Sequence, residues 1–307
     1  MKNRDLETLK PIFDRPKKHS QNSLHIFTAP TDIGVIRNKG RNGARFAPKS
    51  ILASLKKLQN HLEIESIKIN QTTNTEYEIE NFNLAQNNQA ILITENIQKN
   101  NLSQAIHLGG GHDHVFPFLL GIQNSQNFDN IIIINIDAHC DTRVDEKAHS
   151  GTPFRNFDQT CKIPTHLIQY GIHNFSNSQS TLSKLDNITT DYIFYDDIRK
   201  KTDSFQTIPK HILNNCPFEI TSQTAFVFSL DCDAISSSTM KGVSAVNPLG
   251  LPFIHLFDLL KEYQKTFPNF FFGIYEYNPV YDDLSSIGSK AIASLLYKYI
   301  EDIQLLK

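Results

Sequence analysis

Residues 131–136 read Ile-Ile-Ile-Ile-Asn-Ile, and the next five are Asp-Ala-His-Cys-Asp. An almost continuous apolar run of this length has no face to offer to water, so as a strand it must be buried on both sides. Similar runs recur at His25–Ala29, Ala105–Leu108, His166–Tyr170, Tyr192–Tyr195, Ala225–Leu230 and Phe270–Tyr275. Stretches with helical character alternate with them, at Ser50–Leu58, Ala90–Ile97, Ile254–Thr266 and Ser289–Leu306, while Leu62–Asn74 is β-branched and polar by turns. That alternation predicts an α/β protein with a mainly parallel sheet. Pro30–Ser50, dense in Gly, Asn and Arg, reads as a long loop.

A chain of 307 residues could hold two domains at about 100–200 residues each. No Pro/Ser-rich linker divides it and no fixed repeat appears, so the expected organisation is an N-terminal extension over residues 1–24 and one catalytic domain over 25–307. With 39% hydrophobic and 20% charged residues a buried core can form. A net charge of -2 supplies no basic field for a phosphate backbone, which argues against nucleic acid as a partner. The first twenty residues lack the apolar core of a secretory signal, and no apolar run approaches the ~20 residues of a bilayer span. Cys140, Cys161, Cys216 and Cys232 form no CxxC pair, so neither a zinc knuckle nor a disulfide framework is expected. A soluble protein of the reducing cytoplasm, without a membrane partner, fits these features.

In open parallel sheets the ligand site lies beyond the carboxyl ends of the strands. Here those ends are unusually polar. The run at 131–136 is followed by Asp137, His139 and Asp141 at alternate positions, which fall on one side if the chain stays extended. The run at 225–230 is followed by Asp231 and Asp233, and Gly109-Gly110-Gly111 by His112. A single Asp after a strand is ordinarily a turn or a helix cap. Six ligand-type residues at three strand ends, with D-x-H-x-D and D-x-D spacings, exceed what capping explains. Four carboxylates packed against apolar strands need compensating cations, and a dinuclear metal centre supplies them. Carboxylates with two imidazoles suit Mn²⁺, and Cys140 and Cys232 point the other way by alternation. Two ions sharing carboxylates would lower the pKa of a water between them, so hydrolysis is the expected chemistry.

Gly110-Gly111-His112, Asp137-Ala138-His139-Cys140-Asp141, Ser229-Leu230-Asp231-Cys232-Asp233 and Glu276-Tyr277-Asn278-Pro279 together resemble the four signatures of the ureohydrolases, the family of arginase, agmatinase and formimidoylglutamase. The resemblance implies a three-layer α/β/α single-domain fold of the arginase type and two Mn²⁺ per subunit. One ion would be held by His112, Asp137, Asp141 and Asp231, and the other by Asp137, His139, Asp231 and Asp233. Catalytic roles fall on Asp141, which would pass a proton to the leaving nitrogen, and on Glu276, which would also bind the amidinium or guanidinium group of the substrate.

Within the family, Gly34–Arg45, Ser150–Arg155 and Gly242–Ala245 are similar to the formimidoylglutamase branch. Substrate contacts are then expected from Arg143, whose guanidinium suits a glutamate carboxylate, and from Ser150. Phe154 stands where arginases place a proton-shuttling His, and no Asp-Pro follows Asp233 as it often does in arginases and agmatinases. His149 is expected to be an ordinary loop residue and His114 to be structural. The implied reaction is cleavage of N-formimino-L-glutamate to L-glutamate and formamide, a step of histidine degradation. Agmatinase, arginase or another guanidino-compound ureohydrolase is the alternative, and a non-catalytic metal-binding member comes after it. The partner is a small amidine or guanidine substrate. Family members commonly assemble, which admits a homo-oligomer, although the apolar residues of 292–306 are assigned to the core.

Overall fold

The computed structural model describes residues 23–59, 61, 66–200 and 214–305. The extension expected over residues 1–24 lies outside them except for its last two residues, which already belong to strand β1 (Ser23–Ala29). The other strands are β2 (Ser66–Gln71), β3 (Gln104–Gly109), β4 (Asn130–Ile136), β5 (Thr165–Ile172), β6 (Thr189–Phe194), β7 (Thr224–Asp231) and β8 (Asn269–Tyr275). They form one sheet in the order β2-β1-β3-β8-β7-β4-β5-β6, with every pairing parallel.

Around the sheet are α1 (Ile33–Arg37), α2 (Ala47–Leu55), α3 (Thr75–Glu80), α4 (Phe82–Asn100), α5 (Val115–Asn124), α6 (Pro153–Thr160), α7 (Tyr195–Lys200), α8 (Phe253–Thr266) and α9 (Ile287–Leu305). Strand alternation sorts them into two layers. Ile26, Ile106, Phe272, Phe228 and Ile134 are neighbours in one row across the sheet and pack with buried residues of α2, α8 and α9. Ala105, Phe271, Val227, Ile133 and Leu167 form the adjacent row and pack with α4, α5 and α6 on the opposite face. The result is the three-layer α/β/α sandwich. Ile292, Leu295, Leu296, Tyr299 and Ile300 of α9 are buried in the first layer, as their assignment to the core requires.

The structure corrects the sequence reading in places. The loop expected over Pro30–Ser50 contains α1, a 3₁₀ turn at Ala44–Phe46 and the start of α2. Pro48 sits in the first turn of α2, where its fixed φ suits a helix start and its missing N–H costs nothing. The run expected at Tyr192–Tyr195 is the end of an earlier strand: β6 begins at Thr189, and Tyr195 already opens α7. β6 is an edge strand, only partly buried, so it need not be apolar throughout. β2, at the other edge, lies within the mixed stretch Leu62–Asn74.

The chain order of the strands reverses in the middle of the sheet. β1 to β3 build one half and β4 to β6 the other, and β7 and β8 then fill the gap between β4 and β3. The carboxyl ends of β3, β8, β7 and β4 thus stand side by side at the switch point, where open α/β sheets leave a crevice. Replacing Ile134, fully buried in the first layer, by Ala should cost about 2–5 kcal/mol in urea unfolding. Ile69→Ala on the exposed side of β2 should change stability by less than about 0.5 kcal/mol.

Candidate metal centre

A polar row lies under the switch point. Gln169, Asn135, Ser229, Gly273 and His107 are register partners across β5, β4, β7, β8 and β3, and two residues further on come Asp137, Asp231 and Tyr275 on the same face. Asn135 Nδ2 donates to Asp137 Oδ2 at 3.2 Å and to Gln169 Oε1 at 2.9 Å. Gly273 has no side chain because Tyr275 lies over it: a Cβ there would come within 2.4 Å of the Tyr275 hydroxyl oxygen. Tyr275 in turn stacks on His112, with ring centroids 5.1 Å apart.

Two short turns carry the first carboxylates. Asp137 Oδ1 accepts from His139 N at 2.7 Å, and Asp231 Oδ1 accepts from Asp233 N at 2.8 Å. Each Asp therefore caps its own turn, as an isolated Asp after a strand does, and turns its other oxygen toward His112. The chain does not stay extended from Asp137 to Asp141 as alternation assumed. Asp141 has φ 51° and Glu276 has φ 62°, left-handed conformations that non-glycine residues adopt at some cost and that here aim both carboxyls inward.

His112 Nδ1 faces Asp141 Oδ2 at 2.8 Å, Asp231 Oδ2 at 3.1 Å and Asp137 Oδ2 at 3.2 Å. His139 Nδ1 faces Asp233 Oδ2 at 3.1 Å and Asp137 Oδ1 at 3.5 Å. All six expected ligands are thus brought together, in two groups: His112, Asp137, Asp141 and Asp231, and Asp137, His139 and Asp233. Asp137 belongs to both groups, while Asp231, expected to serve both ions, stands in the first. When Nε2–H of His112 donates to Ser229 Oγ, 2.9 Å away, Nδ1 turns its lone pair into the cluster.

The electrostatics show what the cluster lacks. Burial opposes charging His112, but the three surrounding carboxylates raise its pKa well above the ordinary range. Asp233 raises His139 to about 12. Burial would raise Asp137, yet the two imidazoles hold it well below the usual carboxylate range. Burial lifts Asp141, carries Asp231 well up and brings Asp233 to about 6. Buried carboxylates at this spacing call for compensating positive charge. His112 Nδ1 and Asp233 Oδ1 are buried without a hydrogen-bond partner. Carboxylate-rich donors with orphaned inward atoms fit divalent cations.

Glu276 follows β8 and is buried, and its Oε1 accepts from His112 N at 3.0 Å. Burial pushes its carboxyl up to about 8. Arg143 is exposed and, with His139 and Asp141, lines a cavity of about 320 Å³ that Ser176, Asn177, Ser178, Ser180 and Thr181 also line. Its guanidinium donates to Asn38 Oδ1 at 2.7 Å, and Asn38 Nδ2 donates to Ser150 Oγ at 3.1 Å. Ser150 is itself buried and stands behind Asn38, off the cavity wall. Phe154 is buried edge-on to the His112 ring. His149 ties its own loop, bonding Asp145 at 2.8 Å and accepting from Gly151 N at 3.0 Å.

Sequence reasoning missed Ser229, Asn135, Gln169 and Asn38. A signal existed for two of them: Asn135 and Ser229 are the polar interruptions of apolar runs, two residues before a ligand Asp and therefore on its face. Asn38 lies within Gly34–Arg45, but no spacing there records that it meets Arg143. Cys140 and Cys232 are buried and outside both ligand groups, and all four cysteines are free.

A buried crown of Asp and His side chains at the switch point of a parallel sheet defines a class of metal-dependent hydrolase, and comparison with known proteins specifies it. Residues 22–301 match the Arginase family, and the chain belongs to that family. It is a hydrolase of C–N bonds in amidines. It is similar to the formimidoylglutamase of Hahella chejuensis, 30% identical over 87% of this chain and 82% of the relative. A Staphylococcus aureus formimidoylglutamase is 27% identical over 96% of this chain and 91% of its own length. Among solved structures, a Bacillus subtilis formimidoylglutamase superposes with a TM-score of 0.81 at 21% identity, covering 99% of this chain and 94% of that one. A Trypanosoma cruzi formiminoglutamase solved with Mn2+ gives 0.76 at 20% identity, covering 95% and 96%. These two likenesses establish the fold. No helix among the described residues is long and apolar enough to cross a membrane.

Because Asp137 is shared, Asp137→Asn should lower bound metal by two ions per chain and Asp233→Asn by one, counted by elemental analysis. His112, His139, Asp231 and Asp233 all hold their protons more tightly than usual, and binding an ion must displace those protons, so metal affinity in chelator competition should fall as pH drops from 8 to 5. A flat profile would exclude this cluster as the metal site.

Proposed function

We propose that the protein hydrolyses N-formimino-L-glutamate to L-glutamate and formamide with two Mn²⁺ per subunit, as a cytoplasmic step of histidine degradation. The observation that carries the reading is the place of Arg143, on the wall of the same cavity as His139 and Asp141. A guanidinium beside an amidine-cleaving centre suits a substrate that brings carboxylates and repels one with a cationic tail. The curated relatives named formimidoylglutamase support the substrate, and the Trypanosoma cruzi structure with Mn2+ supports the metal. Residues 25–307 act as one catalytic domain.

His112, Asp137, Asp141 and Asp231 would hold one ion and Asp137, His139 and Asp233 the other. Ions bound there supply charge neutralisation and a water of lowered pKa. Arg143 takes a carboxylate of the substrate, with its guanidinium aimed by Asn38, and Ser150 acts through Asn38. Glu276 accepts an N–H of the formimino group, and the positive charge of that group favours its ionised form. Water adds to the formimino carbon and the bond from that carbon to the glutamate nitrogen breaks. Asp141, aimed inward by its left-handed backbone, delivers the proton that the leaving nitrogen needs.

The direct test incubates the Mn²⁺-loaded protein in parallel with formiminoglutamate, arginine, agmatine and guanidinobutyrate. Formamide and glutamate should form from the first alone; urea from any of the others would overturn the assignment. Asp141→Asn should lower kcat by about 10²–10⁴-fold, and near-normal turnover would remove its role in proton transfer. Arg143→Ala should raise KM about tenfold or more with a smaller change in kcat, the signature of a lost charge-assisted binding contact.

A further inference from the structure

A second polar cluster lies behind the metal centre and plays no part in the reaction described above. Glu78 of α3, Asp113 and His114 are all buried, and a donor atom of each lies within 4.8 Å of the others. His114 Nδ1–H donates to Gln89 Oε1 at 3.0 Å, and the Gln89 amide is oriented by its Nε2 donating to His107 Nε2, also at 3.0 Å. This leaves His114 Nε2 aimed at Glu78 Oε1, 4.0 Å away, and at Asp113 Oδ2, 3.8 Å away. His114 Nε2, Glu78 Oε1 and Asp113 Oδ1 have no hydrogen-bond partner.

Two of the four carboxylate oxygens are held, one of them Asp113 Oδ2, the oxygen 3.8 Å from His114 Nε2. Thr31 Oγ1 donates to Glu78 Oε2, and Gln86 Nε2 donates to Asp113 Oδ2 at 3.1 Å. Asp113 is locked between backbones, since a Cβ on Gly34 or Gly111 would fall 2.0 or 2.3 Å from its Oδ1. An imidazole lone pair facing two buried carboxylates is unfavourable unless a positive charge lies between them. The gaps of 3.8 and 4.0 Å are too long for hydrogen bonds. They fall within what one ion bridging two ligands at about 2.0–2.2 Å each would span. A His whose other ring nitrogen donates to a fixed amide oxygen also has the outer-shell arrangement of a metal ligand.

We propose that Glu78, Asp113 and His114 form a third, structural site for a divalent transition-metal ion, separate from the two-group centre. The ion would fasten α3 to the turn that carries His112, so its role is to hold that turn in place. One imidazole and two carboxylates suit Mn²⁺ or Zn²⁺. The reading is independent of the substrate.

The test is anomalous diffraction from crystals of the full chain equilibrated with Mn²⁺ and, separately, with Zn²⁺. A peak bounded by Glu78, Asp113 and His114, in addition to those at His112 and Asp233, is the expected result. His114→Gln and Glu78→Gln should each remove that peak and lower bound metal by one ion per chain while the other peaks remain. Peaks at the two-group centre with none at the third site for either ion would overturn the inference and leave the centre untouched. So would direct His114–carboxylate hydrogen bonds of about 3.2 Å or less closing the gap. Should the variants fail to fold, the unmutated protein's density decides alone.

Discussion

Four carboxylates crowd around two imidazoles where solvent scarcely reaches, and the surrounding structure is arranged to tolerate that charge. Each buried ion costs several kcal/mol unless its lone pairs are engaged. The protein engages them with what strand ends make available. Free backbone N–H groups of the two turns take one oxygen each from Asp137 and Asp231, Asn135 donates to a second oxygen of Asp137, and Ser229 pins the far side of His112. The residual mismatch appears as raised carboxyl pKa values and orphaned inward atoms, which divalent ions would relieve.

That arrangement depends on topology. Strands β3, β8, β7 and β4 are neighbours only because β7 and β8 return to fill the middle of the sheet. His112, Glu276, Asp231 and Asp137 therefore meet although they are far apart in the chain. The polar row from Gln169 to His107 supports them from below, and the apolar rows on either side keep that support rigid. Gly273 belongs to the same construction, because its missing side chain makes room for Tyr275 and hence for the ring against which His112 stacks.

On the proposed function, selectivity lies in the loops above this base: Arg143 lines the cavity and would favour a substrate bearing carboxylates, with Asn38 and then Ser150 bonded behind it. Asn38 follows α1, within the segment that reads as loop in the sequence, and Arg143 lies two residues after a ligand. Rigid strand ends and their turns thus carry the Asp and His cluster, while connecting segments line the cavity beside it.

The sequence by itself determined the buried strands and the ligand types. An uninterrupted apolar run such as 131–136 tolerates only burial on both faces, and D-x-H-x-D after such a run has few uses. It also carried the C-terminal helix, whose apolar residues recur at helical spacing. The edge strands β2 and β6 were blurred because one covered face imposes no continuous apolar pattern. Only the tertiary structure decided that Asp137 stands within reach of both His112 and His139, since this follows from how the sheet order brings the ends of β3 and β4 together. The same holds for the pairing of Arg143 with Asn38, more than a hundred residues earlier, and for the meeting of Glu78 with Asp113 and His114. Those contacts join residues distant in sequence, and no local period or spacing records which distant side chains a fold will bring together.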